Sequence, residues 1–456
     1  MLDEAEAIAR VKDLSIPLNE RAKHHRKINK YYRGTCPIPR AVTASKLTKA
    51  YKALMDLSQT NFARLIVKAA TSRLEIGGVK SSDGEADKSA RSVWQANRMD
   101  GESKLAIKEL LTHGRVFGIC WPASDENDAP TMTFENSATV IVEYEEGSRH
   151  RRKAALRRWR DDKGRVHATL YTKDYLYKFS RPENGDDGSW EKRQPEGEEW
   201  PLPNPYDVVN VIEIAVNREL ELGRFGGHAQ GDFDHALSLM DRINTIEFVR
   251  LVLTFTSGFP IRVIIGNKIL RDDHGNAIEP FSAAANVLGQ LENPNARVDE
   301  LTGNDPEAVS KSLALDIETL AGVTETPSYY MRSVPIQNVS ADAIRAADGP
   351  LNGRVEDHKP QAGEGFEEFM RLSISQSATP LPIDAEVQWV NREARSLSER
   401  ADAAVKLKDI LPWPALAEYI FDASQEQIDR WATLRSFEDI SLFNRAGAGT
   451  DSAPAG

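Results

Sequence analysis

Residues 149–160, Arg149-His-Arg-Arg-Lys-Ala-Ala-Leu-Arg-Arg-Trp-Arg160, place seven Lys or Arg in twelve positions with Trp159 among them. Such a run could neutralise a nucleic-acid backbone while the indole stacks on a base. The rest of the chain supplies no supporting basic surface. Lys plus Arg total 58 against 69 Asp plus Glu, for a net charge of −11. The run is therefore assigned to the solvated face of a β-hairpin, balanced by nearby acids.

Asp272-Asp273-His274 carries three metal-ligating residues in a row. Adjacent side chains on an extended chain point apart and no distant ligand set accompanies them, so a turn tip is expected and no metal site. The remaining histidines, His24 and His25 among them, are scattered. Two cysteines, Cys36 and Cys120, exclude a disulfide framework and a four-cysteine zinc site. Gly223-Arg-Phe-Gly226-Gly227 lacks the Gly-Lys-Ser/Thr that a phosphate loop needs, and neither His-Glu-x-x-His nor Gly-x-Ser-x-Gly occurs. Asn338-Val-Ser340 is a sequon by chance. No catalytic residue, no cofactor and no enzymatic activity are expected.

The length suggests about three domains or one large multi-part subunit. The acidic start lacks a secretory core, so export is not expected. The most apolar stretch, Leu251 to Ile265, is interrupted by Ser257, Gly258, Pro260 and Arg262 and is too short to span a bilayer.

The first hundred residues read as helical. Phe62, Leu65, Ile66 and Ala69 share a face, Gly77-Gly78 marks a stop, and Val93-Trp94 and Leu105 to Leu111 add further helix. Val116 to Trp121 has the composition of a buried strand. Arg165 to Phe179 alternates apolar and polar positions, and Asp162-Lys163-Gly164 suits a hairpin turn before it. Arg181 to Pro205, rich in Pro and Gly, reads as a surface loop. Val208 to Val216 is a strand leading to a helix capped by Asp232. Its stripe is Phe233, Leu237, Met240, Ile243, Ile246, Val249 and Leu253, over about 25 residues and nearly 40 Å. Short strands occupy 257–304. A second helix has Asp305 at its cap, Pro306 at its first position and Gly322 past its end, with Val309, Leu313, Ile317 and Leu320 as its stripe. Two helices thus bracket a small β module.

After an aperiodic stretch, Ser340 caps a helix that Gly349-Pro350 is expected to kink, with helix resuming at Glu367 to Leu372. Ser396 with Glu399 and Ser424 with Gln427 read as capping boxes, Pro412-Trp413-Pro414 starts the helix between them, and 446–456 is a small-residue tail expected to be disordered.

This order resembles the portal proteins of tailed double-stranded-DNA bacteriophages. Tyr31-Tyr32-Arg33-Gly34, Trp94-Gln-Ala-Asn97 with His113-Gly114-Arg-Val-Phe117, Val208 to Asn217 with Gly223-Arg224, Phe259-Pro260-x-Arg262 with Gly266, Thr326-Pro327, and Asn338-Val-Ser340-Ala341-x-Ala343-Ile344 carry the likeness. Gly349-Pro350, Gly353, Pro360, Gly363 and Gly365 depart from it by interrupting the long helix.

The resemblance implies an α+β subunit with an α/β wing (1–230), a first stem helix (231–257), a β clip (258–304) and a second stem helix (305–323). A tunnel loop (324–341), a kinked helix and wing (342–395), a helical crown (396–445) and a tail (446–456) follow. It implies a closed ring, typically of twelve, at a capsid vertex of the virion, assembled in the host cytoplasm. The implied partners are double-stranded DNA, terminase, major capsid and scaffolding proteins and a head-completion adaptor, with no membrane. Pro327, Ser328, Tyr329, Tyr330, Met331, Arg332, Gln337 and Asn338 would face DNA. Lys268, Arg271, Asp272, Asp273 and His274 would face the motor or adaptor. Leu237, Met240, Ile243, Leu313, Ile317 and Leu320 would pack the stem. An acidic ring would confine DNA without gripping it. The alternatives are another virion structural protein, such as an adaptor or minor head component, and a nucleic-acid-processing enzyme.

Overall fold

A computed structural model describes residues 1–36, 49–123, 128–182, 190–194, 197, 199–221, 223–258, 261–265, 297–301, 306–331, 340–390, 397–421, 423 and 427–437. In chain order the N-terminal elements are α1 (Glu4–Arg33), α2 (Lys49–Leu57), α3 (Phe62–Thr71), β1 (Ile76–Lys80), α4 (Gly84–Ala96) and α5 (Met99–His113). Then come β2 (Arg115–Trp121), β3 (Thr131–Asn136), β4 (Val140–Tyr144), β5 (Arg152–Arg160), β6 (Val166–Tyr171), β7 (Tyr175–Arg181), β8 (Glu191–Lys192), β9 (Leu202–Pro203) and β10 (Val211–Ala215). The remainder comprises α6 (Leu237–Gly258), β11 (Ile261–Ile265), β12 (Arg297–Leu301), α7 (Pro306–Val323), α8 (Ser328–Met331), α9 (Ala341–Ser373), β13 (Glu386–Trp389), α10 (Leu397–Leu407) and α11 (Trp413–Phe421). Residues 427–437 are also helical. Among the described residues, helices and antiparallel sheets mix without βαβ crossovers, which is an α+β arrangement.

The chain forms two units. The first comprises 1–33, 63–235 and 324–456; the second comprises 34–62 and 236–323. In the first, β4 to β8 make an antiparallel sheet in sequential order, with β9 also on β7. The side-chain period of 2 sorts its residues into two cores. Ile141, Ala154, Leu156, Ala168, Leu170, Tyr177 and Phe179 face α1, which contributes Ala7, Val11, Leu14 and Leu18 at helical spacing. Val140, Val142, Tyr144, Ala155, Tyr171 and Leu176 face the other way, against Phe117, Ile119, Val209 and Val211.

The hairpin forms as the sequence implies. Asp161 accepts from Gly164 and pairs its own N–H with Arg165, and Gly164 takes φ +79°. The alternation read over Arg165 to Phe179 divides into two strands that fold back on each other. Thr172 and Tyr175 close a turn, so β6 and β7 are antiparallel neighbours. The expected loop 181–205 carries β8 and β9, which pair with β7, and Trp190 is buried.

Three further expectations are corrected. Gly77 and Gly78 do not stop a helix; they lie in β1, which pairs with β13 across a register shift between Ile76 and Gly78. On α3 the expected Ile66 and Ala69 are buried, but with Ala63, Val67 and Ala70, while Phe62 and Leu65 are only half-buried. The helix expected to kink at Gly349-Pro350 and to resume at Glu367 is continuous between them, one helix of 33 residues, about 50 Å, with Pro350 and Pro360 inside it. Each proline frees the carbonyl four residues back. Ala346 and Glu356, which own those carbonyls, are exposed, so water can satisfy them. Meanwhile Leu351, Val355, Ala362, Phe366, Phe369 and Met370 keep one buried stripe over residues 351–370. Ser340 caps it as expected, its hydroxyl accepting from Ala343 N at 3.2 Å.

The same helix crosses the sheet of β10, β2 and β3. Gly118 of β2 lets it lie close, since a Cβ there would be 2.8 Å from the Phe369 ring.

The second unit holds α2, α6, β11, β12 and α7. The helix expected from Asp232 begins at Leu237, after a single 3-10 turn at Asp234–Ala236, and runs 22 residues. Asp232 is not its cap, and Gly322 lies inside α7 rather than beyond it. Strands β11 and β12 pair antiparallel, Ile261 opposite Leu301 and Ile265 opposite Arg297. Among the described residues no helix is long and apolar enough to cross a membrane.

Candidate functional site

In the second unit, α6 packs against α7 and α2 packs against α6. Of the expected packing residues, Leu237, Met240, Ile243 and Leu320 are buried, while Leu313 and Ile317 are half-buried. Val249, expected in the stripe, is exposed, and Phe248 takes the inward position. A forked ion pair missed in the sequence ties the helices together. Arg242 donates from Nε to Asp316 Oδ2 at 2.9 Å and from Nη2 to Oδ1 at 2.7 Å. Asn244 Oδ1 accepts from the N–H and hydroxyl of Thr60 at 2.9 and 2.7 Å. Phe255 and Leu315 remain exposed on α6 and α7.

Directly after α7, within the first unit, the chain turns at Thr324 to Thr326 and forms the single helical turn α8. Among the expected DNA-facing residues, Ser328 is exposed and Tyr330 is 38% exposed, but Pro327 and Met331 are buried. Tyr329 is half-buried and stacks on Tyr330, with ring centres 4.7 Å apart. Its hydroxyl donates to Asp348 of α9, and burial with that neighbouring carboxylate pushes the phenol above its usual range. Arg73 completes the anchor, donating to Asp348 Oδ2 at 2.9 Å and to Asn352. The turn is therefore pinned to α9. Arg332, Gln337 and Asn338 lie outside the described residues, as do Lys268, Arg271, Asp272, Asp273, His274, Ser396, Ser424 and the tail 446–456.

Asp232, five residues before α6, joins two residues of α9 in a buried cluster of the first unit. Asp232 Oδ1 lies 2.9 Å from His358 Nε2, and Asp232 Oδ2 lies 3.7 Å from Arg354 Nε. Arg354 also donates to the Thr324 carbonyl. Burial lowers the Arg354 pKa from its ordinary value. The cluster links the residues before α6, the residues after α7 and the middle of α9. Its members are too far apart in sequence for any local motif to have marked them.

The basic run lies on and beside β5, and much of it is engaged within the first unit. Arg152 bonds Glu368 and donates to Val209 O at 3.0 Å; Arg157 pairs with Glu135 and lies 4.7 Å over Trp159. Lys153 stands 3.8 Å from Glu143, and Arg158 bonds Asn19. Trp159 is covered by Arg157 and Arg193 rather than open to a base.

A family model described as phage portal protein, SPP1 Gp6-like, matches residues 17–436. The portal protein of Mycobacterium phage L5 is 25% identical over 366 residues, 77% of this chain and 72% of that protein. The portal protein of Mycobacterium phage D29 is 23% identical over 365 residues, 77% of this chain and 73% of that protein. Among solved structures, the virion of a native gene transfer agent particle aligns with 79% of this chain and 89% of its own. That alignment has a TM-score of 0.43 and 11% identity.

Proposed function

This chain belongs to the phage portal protein family of the SPP1 Gp6-like type, a family of structural virion proteins rather than enzymes, and from that premise we propose that it is the subunit of a ring at one capsid vertex. The ring, typically of twelve, would conduct the genomic DNA driven by terminase and afterwards carry the head-completion adaptor. Major capsid and scaffolding proteins would surround it. Closed rings require head-to-tail contacts, each subunit offering two different surfaces.

The observation that carries this reading is the order α6, β11, β12, α7 within one unit, with α6 packed on α7. Helix, strand pair and helix correspond to stem, clip and stem. Exposed Phe255 and Leu315 suit burial against a neighbouring copy, because large apolar side chains on a helix face favour removal from water. On this assignment α8 is the root of the tunnel loop, α9 the long helix of the wing, and α10 with α11 the crown. The sheet of β4 to β8 with α1 belongs to the wing.

Negative-stain electron microscopy with native mass measurement tests the proposal on the purified chain. Rings with a central hole are expected, and their mass gives the copy number. A Leu313→Asp variant places an unpaired charge at a half-buried stem position, which is costly. It should abolish rings, and unchanged assembly would sink the stem assignment.

A further inference from the structure

Helices α1 and α5 pack together in the first unit and juxtapose three side chains that the sequence scatters. His25 Nε2 lies 2.9 Å from Glu109 Oε1, 84 residues away. His113, one helical turn beyond Glu109, brings its Nε2 to 3.8 Å from the same oxygen. One ligand atom from each residue falls within 4.8 Å of the others. The two imidazoles are stacked, centres 3.7 Å apart. The His113 side chain is 2% exposed, and among the described residues neither of its ring nitrogens has a hydrogen-bond partner. A buried polar ring left unpaired costs free energy that a bound ligand would recover.

We propose that His25, Glu109 and His113 form a three-ligand site for a divalent transition-metal ion of the zinc class. Two imidazole nitrogens and one carboxylate oxygen are the donor set such ions select, whereas magnesium and calcium take oxygen ligands. Three protein ligands leave a fourth position for water. Tetrahedral bonds of about 2.0–2.1 Å put ligand atoms about 3.3 Å apart. The 2.9 Å contact must open and the 3.8 Å contact must close by roughly half an ångström each. Side-chain rotation about α1 and α5 supplies that.

The surroundings fit the same chemistry. Asn29 Nδ2 lies 3.0 Å from His25 Nδ1. With Nε2 on the metal, Nδ1 carries the proton, and a half-turn of the Asn29 amide presents Oδ1 to accept it. Glu109 is 24% exposed, which gives an ion an entry path. His24 is separate, its Nε2 held 2.8 Å from Asp234 Oδ2. Such a metal would clamp α1, and with it one face of the β4 to β8 sheet, onto α5.

The test uses the full chain stripped with a chelator and then titrated with zinc sulfate by calorimetry, with Co²⁺ as a spectroscopic probe. One ion per chain is expected, with a tetrahedral-type visible Co²⁺ spectrum and a rise in Tm on adding zinc. His25→Ala and Glu109→Gln should each weaken binding by more than the 10–100-fold that loss of an outer-shell partner costs. His24→Ala should bind as the parent does. His113→Ala empties a buried position and can fail to fold, so the two less buried positions decide. Absence of saturable zinc binding, or affinity unchanged in both His25→Ala and Glu109→Gln, overturns the site. Neither result bears on whether the chain forms rings.

Discussion

Replacing Asp232 by Asn is the sharpest probe of how the residues flanking α6 and α7 are held. The carboxylate is fully buried, with Oδ1 2.9 Å from His358 Nε2 and Oδ2 3.7 Å from Arg354 Nε. Asn keeps the shape and an acceptor for His358 but removes the charge facing a buried guanidinium. At 3.7 Å and an effective dielectric of about 20, that attraction is about 4 kcal/mol. Breaking one side of a buried pair typically costs about 3–5 kcal/mol. Arg354 retains its bond to the Thr324 carbonyl, which sets the expectation near 3 kcal/mol. Urea unfolding of the purified protein, with hydrogen exchange over 324–331 and 351–358, reads the loss and its location. Removing both charges, as Asp232→Asn with Arg354→Met, should recover most of it, because no orphaned charge remains. A loss under about 1 kcal/mol for Asp232→Asn, or no recovery in the double variant, would refute the reasoning.

Gly231→Ala should destabilise by about 3 kcal/mol, measured as thermal midpoint, because its Cβ would stand 2.1 Å from the Thr112 carbonyl oxygen and backbone must move. A midpoint equal to the parent's would contradict that close approach. Arg242→Ala should cost only about 1 kcal/mol in urea unfolding, since the Arg side chain is 55% exposed although Asp316 is 13% exposed. Arg242→Lys should restore less than half, lacking the fork. Burial pushes the Cys120 thiol up to about 12, so the reactive thiolate is scarce at pH 8. Iodoacetamide should modify Cys120 only after denaturation, and labelling of the folded protein, read by mass spectrometry, would show the strand β2 environment to be open.

Local chemistry in the sequence determined much of the local structure. The Asp161 to Gly164 turn, the strand Arg115 to Trp121, the Ser340 cap, Pro306 at the start of α7 and Trp413 at the start of α11 all express costs paid within a few residues. The order of elements was enough to point to the portal family. Packing over long separations decided the rest. Gly349-Pro350 carries a strong local signal for a kink and an interruption before Glu367, yet the buried stripe from Leu351 to Met370 and the exposed positions Ala346 and Glu356 keep α9 continuous. Asp232 has the composition of a cap, but His358 and Arg354, distant in sequence, draw it inward. Gly77 and Gly78 read as a stop until β13 offers them a partner strand. Glu109 and His113 stand one helical turn apart on α5, but His25 arrives on α1, so no single spacing marks the three. Backbone preference is a short-range energy written residue by residue, whereas burial and ion pairing depend on which distant segment arrives, and only the tertiary structure determines that.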